Sequence, residues 1–225
     1  MSVPKTLEHR ASIPARLTHL VRKEGVRGLV RYVLNRRKYI FWMNKSYLLS
    51  YPLSVDMPIP QTEMQLKVER VTLEDQEVIR ELVEMYQYPT RVESLEKRMR
   101  QGKLCYVGRV DGKIIGYVWV HLQGAVQEYE RTIIRLKKDE VYNHDAYVIP
   151  QLRGKKLYPA LKAQAGRLIA QEFRKTKMIS YVLFTNTASY NASRKLGVQR
   201  IGYFGYYKLF GRRFHYLIRH HPIPM

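Results

Sequence analysis

Val148-Ile-Pro-Gln-Leu-Arg-Gly-Lys-Lys-Leu157 reads as the end of a strand, a tight turn and the start of a helix. The β-rich run from about Glu140 to Ile149 stops at Pro150, and the turn covers Gln151 to Lys156. Beyond it Leu157, Leu161, Leu168, Ile169 and Phe173 recur at helical spacing as far as about Lys175. Pro159 is tolerated only in a first helical turn, which sets the helix start near residue 157. A helix start leaves backbone N–H groups unpaired and carries partial positive charge. Gly154 allows close approach to the main chain, and Arg153, Lys155 and Lys156 add cations, so the turn suits a diphosphate. It lacks the Gly-x4-Gly-Lys-Ser/Thr spacing of a Walker P-loop. Taken alone, it also reads as an ordinary basic connection between strand and helix.

The elements around this turn follow from the same patterns. A strand is expected at Gln65 to Val71, then a helix opened by Thr72-Leu-Glu-Asp75 as a capping box and carrying Val78, Ile79, Leu82, Val83 and Tyr86 on one face. A second box, Thr90-Arg-Val-Glu93, opens a shorter helix. Lys103 to Arg109 and Lys113 to His121 form a hairpin around Asp111-Gly112, a pair suited to the two positive φ angles of a type I′ turn. Residues 122–138 are ambiguous between loop and helix. Met178 to Phe184 reads as a strand, followed by a short helix that Gly197 stops. Two final strands are expected at Arg200 to Leu209 and Phe214 to Ile218, leaving His220 and His221 in a terminal tail.

Thirty residues after the basic turn lies Asn186-Thr-Ala-Ser-Tyr-Asn-Ala-Ser-Arg-Lys-Leu-Gly197. With Gln151, Arg153 and Gly154 it resembles the paired signatures of the GNAT acyltransferases, a Q/R-x-x-G-x-G/A loop and then Asn, a short helix and Lys-Leu-Gly. The resemblance covers residues 65–217, and more weakly extends to members linked to polysaccharide synthesis, which share Tyr-Pro after the loop. It implies an α+β fold with a central, largely antiparallel sheet flanked by helices, and transfer of an acyl group, most simply acetyl, from coenzyme A to an amine. Backbone N–H groups of Gln151, Leu152, Arg153, Gly154, Lys155 and Lys156 would hold the diphosphate. Main-chain groups of Val148 and Ile149 would meet the pantetheine arm and polarise the thioester, and Asn186 would complete the cofactor site. Three positions depart from the pattern: Lys156 stands at the loop's last small residue, Tyr158 stands where a glycine is often found, and Ser193 stands where many members carry a tyrosine that protonates the departing thiolate. Tyr190, one helical turn earlier, is either the substitute acid or a packed helix residue. Glu140, His144 and Asp145 are candidate bases, with Asp145 nearest the thioester; strict alternation would put Tyr142, His144 and Ala146 on one face and Asn143, Asp145 and Tyr147 on the other.

The acceptor expected from this is an amino sugar or another small amine. The charge of +21, from 40 Lys and Arg against 19 Asp and Glu, keeps two alternatives open. One is a macromolecular acceptor such as aminoacyl-tRNA; the other is a non-catalytic CoA-binding or membrane-associated regulator. Residues 1–60 are read as a basic, mainly helical extension and linker, with residues 61–225 as the acyltransferase domain. The extension holds eleven basic and three acidic residues, a helical apolar stripe from Leu17 to Leu34, a strand-like run at Lys38 to Leu49, and a linker marked by Pro52, Pro58 and Pro60. Its basic face suits an anionic membrane surface or nucleic acid. The single Cys105, in an apolar run, reads as a buried strand residue and excludes an internal disulfide. No signal peptide or 20-residue apolar span is visible, so a cytoplasmic location is expected, peripheral at the inner face of the membrane if the extension binds there. The seven histidines show no metal-ligand spacing, so no metal is expected. The chain's 18 tyrosines read mainly as strand packing.

Overall fold

The computed structural model describes residues 21–22, 25–28, 41–86, 88–128, 131–194, 197–209 and 212–224. Residues 21–22 and 25–28 are helical. The rest of the expected N-terminal helical stripe lies outside the described residues. The chain divides into two units, one of residues 45–205 and 215–225, the other of residues 1–44 and 206–214. In the smaller unit the rings of Trp42 and Tyr206 lie 5.5 Å apart, and Tyr207 stacks on Phe214 at 5.1 Å.

The strands in chain order are β1 (Phe41–Pro52), β2 (Lys67–Val71), β3 (Lys103–Val110), β4 (Lys113–His121), β5 (Ala125–Glu128), β6 (Thr132–Arg135), β7 (Glu140–Val148), β8 (Lys177–Leu183), β9 (Gln199–Leu209) and β10 (Arg212–Pro224). The helices are α1 (Gln76–Met85), α2 (Val92–Arg100), α3 (Leu157–Phe173) and α4 (Thr187–Arg194). The larger unit carries a sheet in the order β10-β9-β1-β8-β7-β4-β3-β2. Its register is antiparallel at β1–β8, β2–β3, β3–β4 and β4–β7, and parallel at β7–β8. This is the α+β architecture that the patterns imply. Asp111 and Gly112 both take positive φ, 49° and 79°, as the hairpin reading requires.

β4 is buried from Ile114 to Val120 because both faces of the sheet are covered. On one face Ile115, Val118 and Val120 pack with Leu157, Leu161 and Ile169 of α3. On the other, Ile114, Tyr117 and Trp119 pack with Ile79 and Leu82 of α1 and Leu95 of α2. Gly116 has no room for a side chain, since a Cβ there would lie 2.5 Å from the Tyr147 carbonyl oxygen. Cys105 is fully buried beside Trp119. Burial drives its thiol pKa upward, which keeps it protonated and unreactive.

Several expectations are corrected. β1 pairs with β8 from Ser46 to Pro52, so the boundary near residue 60 falls after a strand of the main sheet. The expected linker is a packed strap: Leu53, Met57 and Leu66 are buried against α3. Arg167 Nε donates to the Met57 carbonyl at 2.7 Å, and Gln164 Nε2 to that of Leu66 at 3.1 Å. Neither capping box forms. α1 begins after Asp75, whose carboxylate accepts from Thr72 N–H (2.7 Å) and Oγ1 (2.9 Å), and α2 begins after Arg91 without a side-chain cap. Residues 125–135 contain the β5–β6 hairpin rather than helix. His220 and His221 lie within β10 rather than in a tail.

Candidate active site

The site begins with one extra residue in β7. Trp119 of β4 pairs with Asp145, but Val120 pairs with Asn143, so His144 is unmatched and forms a β-bulge. The effect is visible in packing. Val141 and Val148 both face α3 although they are seven residues apart, an odd spacing that strict alternation forbids. Tyr142 and Ala146 thus lie on opposite faces, which corrects the expected alternation. Asn143 Nδ2 donates to the Trp119 carbonyl at 3.2 Å, supplying a bond where the ladder is interrupted.

The bulge also ends the pairing of β7 with β8. Register runs from Glu140↔Lys177 to Tyr142↔Ile179 and stops, although both strands continue. In the opening between them lies a cavity of ≈ 260 Å³. Asn143, His144, Asp145 and Ala146 line it from β7, and Ser180 to Leu183 from β8. Tyr158 and Lys162 of α3 line it too, as do Ser189 and Ser193 of α4 and the preceding Asn186. Ile149 N–H donates to the Ile115 carbonyl at 3.0 Å. The alternation of an antiparallel ladder then turns the N–H groups of Ala146 and Val148 away from β4, toward the side from which β8 has diverged. Of the two main-chain positions expected to meet the pantetheine arm, Val148 has this orientation, whereas the Ile149 N–H is already engaged.

The basic turn adjoins this opening. Pro150–Leu152 forms a 3-10 turn, in which Leu152 N–H bonds to the Ile149 carbonyl (3.1 Å) and Arg153 N–H to that of Pro150 (3.2 Å). The N–H groups of Lys156, Leu157 and Tyr158 find no acceptor among the described residues, so the helix start is open as the sequence implies. Gly154 and Lys156 both hold positive φ, 84° and 59°. The small residue absent at Lys156 is therefore replaced by a side chain in the left-handed region, at a cost of about 1–2 kcal/mol. Gln61, Thr62, Glu63, Gly154, Lys155 and Lys156 bound a second cavity of ≈ 260 Å³ beside the turn. Arg153 points elsewhere, its Nε 3.3 Å from the Val148 carbonyl oxygen and its guanidinium over the Tyr147 ring.

Asp145, Asn186 and Ser193 come together at the cleft, while Tyr190 does not line it. The Tyr190 ring instead packs on Tyr47 at 4.8 Å. Ser193 is buried, and Asn186 caps α4 by accepting the Ser189 N–H at 3.0 Å. Asp145 accepts a 2.8 Å hydrogen bond from the Tyr86 hydroxyl, which itself accepts one of 2.6 Å from Arg98 Nη1. Arg98 also approaches Asp145 directly, at 3.6 Å. Tyr86 stacks on Tyr117 at 4.6 Å, and burial followed by the charge of Asp145 raises its pKa. The remaining candidate bases are engaged elsewhere: buried Glu140 accepts from Arg219 (2.8 Å) and His144 lies 3.7 Å from Glu128.

Sequence reasoning missed Tyr86, Arg98, Tyr158 and Lys162. Burial, then the negative charge of Asp145, pushes the Tyr158 pKa up to about 12. Burial alone pulls Lys162 down to about 8. A signal for Lys162 was present in Pro159-Ala-Leu-Lys-Ala-Gln-Ala-Gly166, whose small and apolar residues surround one lysine as in a helix covered on every side.

The fold of this chain has counterparts among solved structures. A GCN5-related N-acetyltransferase from Sphaerobacter thermophilus matches with a TM-score of 0.50 at 13% identity, over 88% of this chain and 58% of that one. A tandem GNAT protein from the clavulanic acid biosynthesis pathway matches with a TM-score of 0.50 at 11% identity, over 80% and 57%. This is the GNAT fold. At such identities the likeness is one of fold, and the chain spans less than two thirds of either neighbour's length. No protein-family model matches the GNAT-fold chain, and no curated protein matches it. Among its described residues no helix is long and apolar enough to cross a membrane, and no group of His, Cys, Asp and Glu is arranged to hold a metal ion.

Proposed function

We propose that the protein transfers an acyl group, most simply acetyl, from coenzyme A to the nitrogen of a small amine. The observation that carries this reading is the opening of β7 from β8 at the His144 bulge, directly beside a helix start with unpaired N–H groups. The two features suit the two chemically different parts of CoA. The N–H groups of Lys156, Leu157 and Tyr158, with Lys155 and Lys156 as side-chain cations, fit its diphosphate. The turned N–H groups of Ala146 and Val148 fit the amides of an extended pantetheine arm, which would lie along β7 where β8 is missing.

Acyl-CoA supplies an activated thioester carbonyl. The chain's contribution is to fix that carbonyl beside the acceptor amine, exclude water and manage one proton. The amine nitrogen bonds to the carbonyl carbon, the carbon–sulfur bond breaks, and the thiolate leaves. Asp145 takes the proton from the attacking nitrogen, directly or through water, while Tyr86 and Arg98 hold its carboxylate in place. The Ser193 hydroxyl, at the cleft, hydrogen-bonds the departing sulfur. Tyr190 serves packing in this reading, because its ring is committed to Tyr47.

Calorimetry with CoA and acetyl-CoA tests the binding half, and thiol release over a broad panel of amines tests the transfer. Asp145→Asn is expected to lower kcat about 10²–10⁴-fold with little change in acetyl-CoA affinity. Tyr190→Phe is expected to leave kcat within about twofold, since removing the hydroxyl leaves its ring packing in place. Absence of CoA affinity in folded protein would remove the reading altogether. Affinity without turnover on any amine would favour a CoA-binding regulator.

A further inference from the structure

Lys162 is the most unusual group in the molecule. It sits on α3, is 2% exposed and lines the cavity between β7 and β8. Its immediate helix neighbours Ala160, Leu161 and Ala163 are buried as well, because the sheet covers one side of α3 and the strap of Leu53, Met57 and Leu66 another. Among the described residues its ammonium has neither a hydrogen-bond acceptor nor a carboxylate partner. Its ammonium lies over two aromatic rings, Tyr51 at 5.7 Å and Tyr158 at 5.8 Å. Those ring faces offset part of the cost of burying a cation, but a charge removed from water ordinarily keeps a counter-ion. Asp145 lines the same cavity, yet its carboxylate is held by Tyr86 and Arg98. Two more polar side chains on the cavity wall, Ser180 and Ser193, are buried too. Acetyl transfer gives Asp145 and Ser193 their roles, but a space meant only for an acetyl methyl needs no buried lysine.

We propose that Lys162 is the binding residue for a carboxylate carried by a substrate, so that the cleft is built for an anionic chain end rather than for a plain acetyl group and neutral amine alone. The carboxylate has two possible sources with the same chemistry. It ends the acyl chain of a dicarboxylic donor such as a malonyl or succinyl thioester, or it belongs to an amino-acid acceptor. In either case it supplies the counter-ion that Lys162 lacks among the described residues, in a cavity that the side chain of Ser180 also lines. This deepens the CoA reading and rests on it.

The test is calorimetric and uses the full chain, with Lys162→Met as the near-isosteric neutral variant and Lys162→Arg as one that keeps the charge. CoA itself should bind wild type and K162M alike; no affinity of folded wild type for CoA sinks the underlying reading and this proposal with it. If the donor carries the carboxylate, wild type binds malonyl-CoA or succinyl-CoA about tenfold or more tighter than acetyl-CoA, and K162M loses that preference while K162R keeps part of it. If the acceptor carries it, wild type saturated with CoA binds one of the common amino acids about tenfold or more tighter than the matching decarboxylated amine, with the same loss in K162M. The proposal is overturned if CoA binds normally but neither preference exists, or if a preference survives in K162M.

Discussion

The two ends of β7 differ in what their backbone does. From Glu140 to Tyr142 the strand pairs with β8, and at Tyr142 with β4 as well, with a buried tyrosine and valine committed to packing. From His144 onward it keeps β4 and loses β8, its side chains are only half-buried up to Tyr147, and its N–H groups at Ala146 and Val148 turn toward open space. One unmatched residue separates these regimes. The same chain segment is therefore scaffold at one end and binding surface at the other, and the change is made by local geometry rather than by a change in composition.

The comparison fails most visibly if the unmatched residue is removed. Deleting His144 restores alternation and lets β8 continue along β7, so CoA affinity measured by calorimetry is expected to disappear; a deletion variant that folds and binds CoA as wild type does would show that the bulge is incidental. A smaller effect, on the order of a few kcal/mol, is expected from Lys162. The unfolded chain holds its proton up to the ordinary value of 10.5, whereas burial lowers the folded value to about 8. Between those pH values the unfolded state binds more protons, so stability should rise with pH across that window, and below it the penalty is fully present. Urea melts of wild type should show this rise, and K162M should be more stable than wild type at pH 7 with the share of the rise due to Lys162 lost. The smallest effect is expected at Asn186. Its replacement by Ala removes the cap of α4 and should cost about 1 kcal/mol in urea denaturation, with weaker CoA affinity only if the side chain serves the cofactor as well.

Legibility in the sequence followed the range of the interactions. The β3–β4 hairpin was readable because Asp111-Gly112 satisfies a purely local demand for positive φ. The start of α3 was readable for the same reason, from Pro150, Gly154 and Pro159. The capping boxes do not form because Thr72 and Thr90 have the right spacing while the helix caps lie three residues and one residue later, at Asp75 and Arg91. The strap at Leu53 to Leu66 was misread as a linker, because its prolines are visible locally and its contacts with α3 are more than 90 residues distant.

By itself the sequence determined the strand–turn–helix at Val148 to Leu157, the second motif at Asn186 to Gly197 and the excess of cations, since these depend on backbone preferences and charge within a few residues. The tertiary structure alone decided that Asp145 belongs to Tyr86 and Arg98, that Tyr190 belongs to Tyr47, and that Lys162 stands in the cleft without a counter-ion among the described residues. The physical reason is that a bulge is defined by the register of two strands, and burial by what several elements place around a side chain; neither is a property of a residue and its immediate neighbours in the chain.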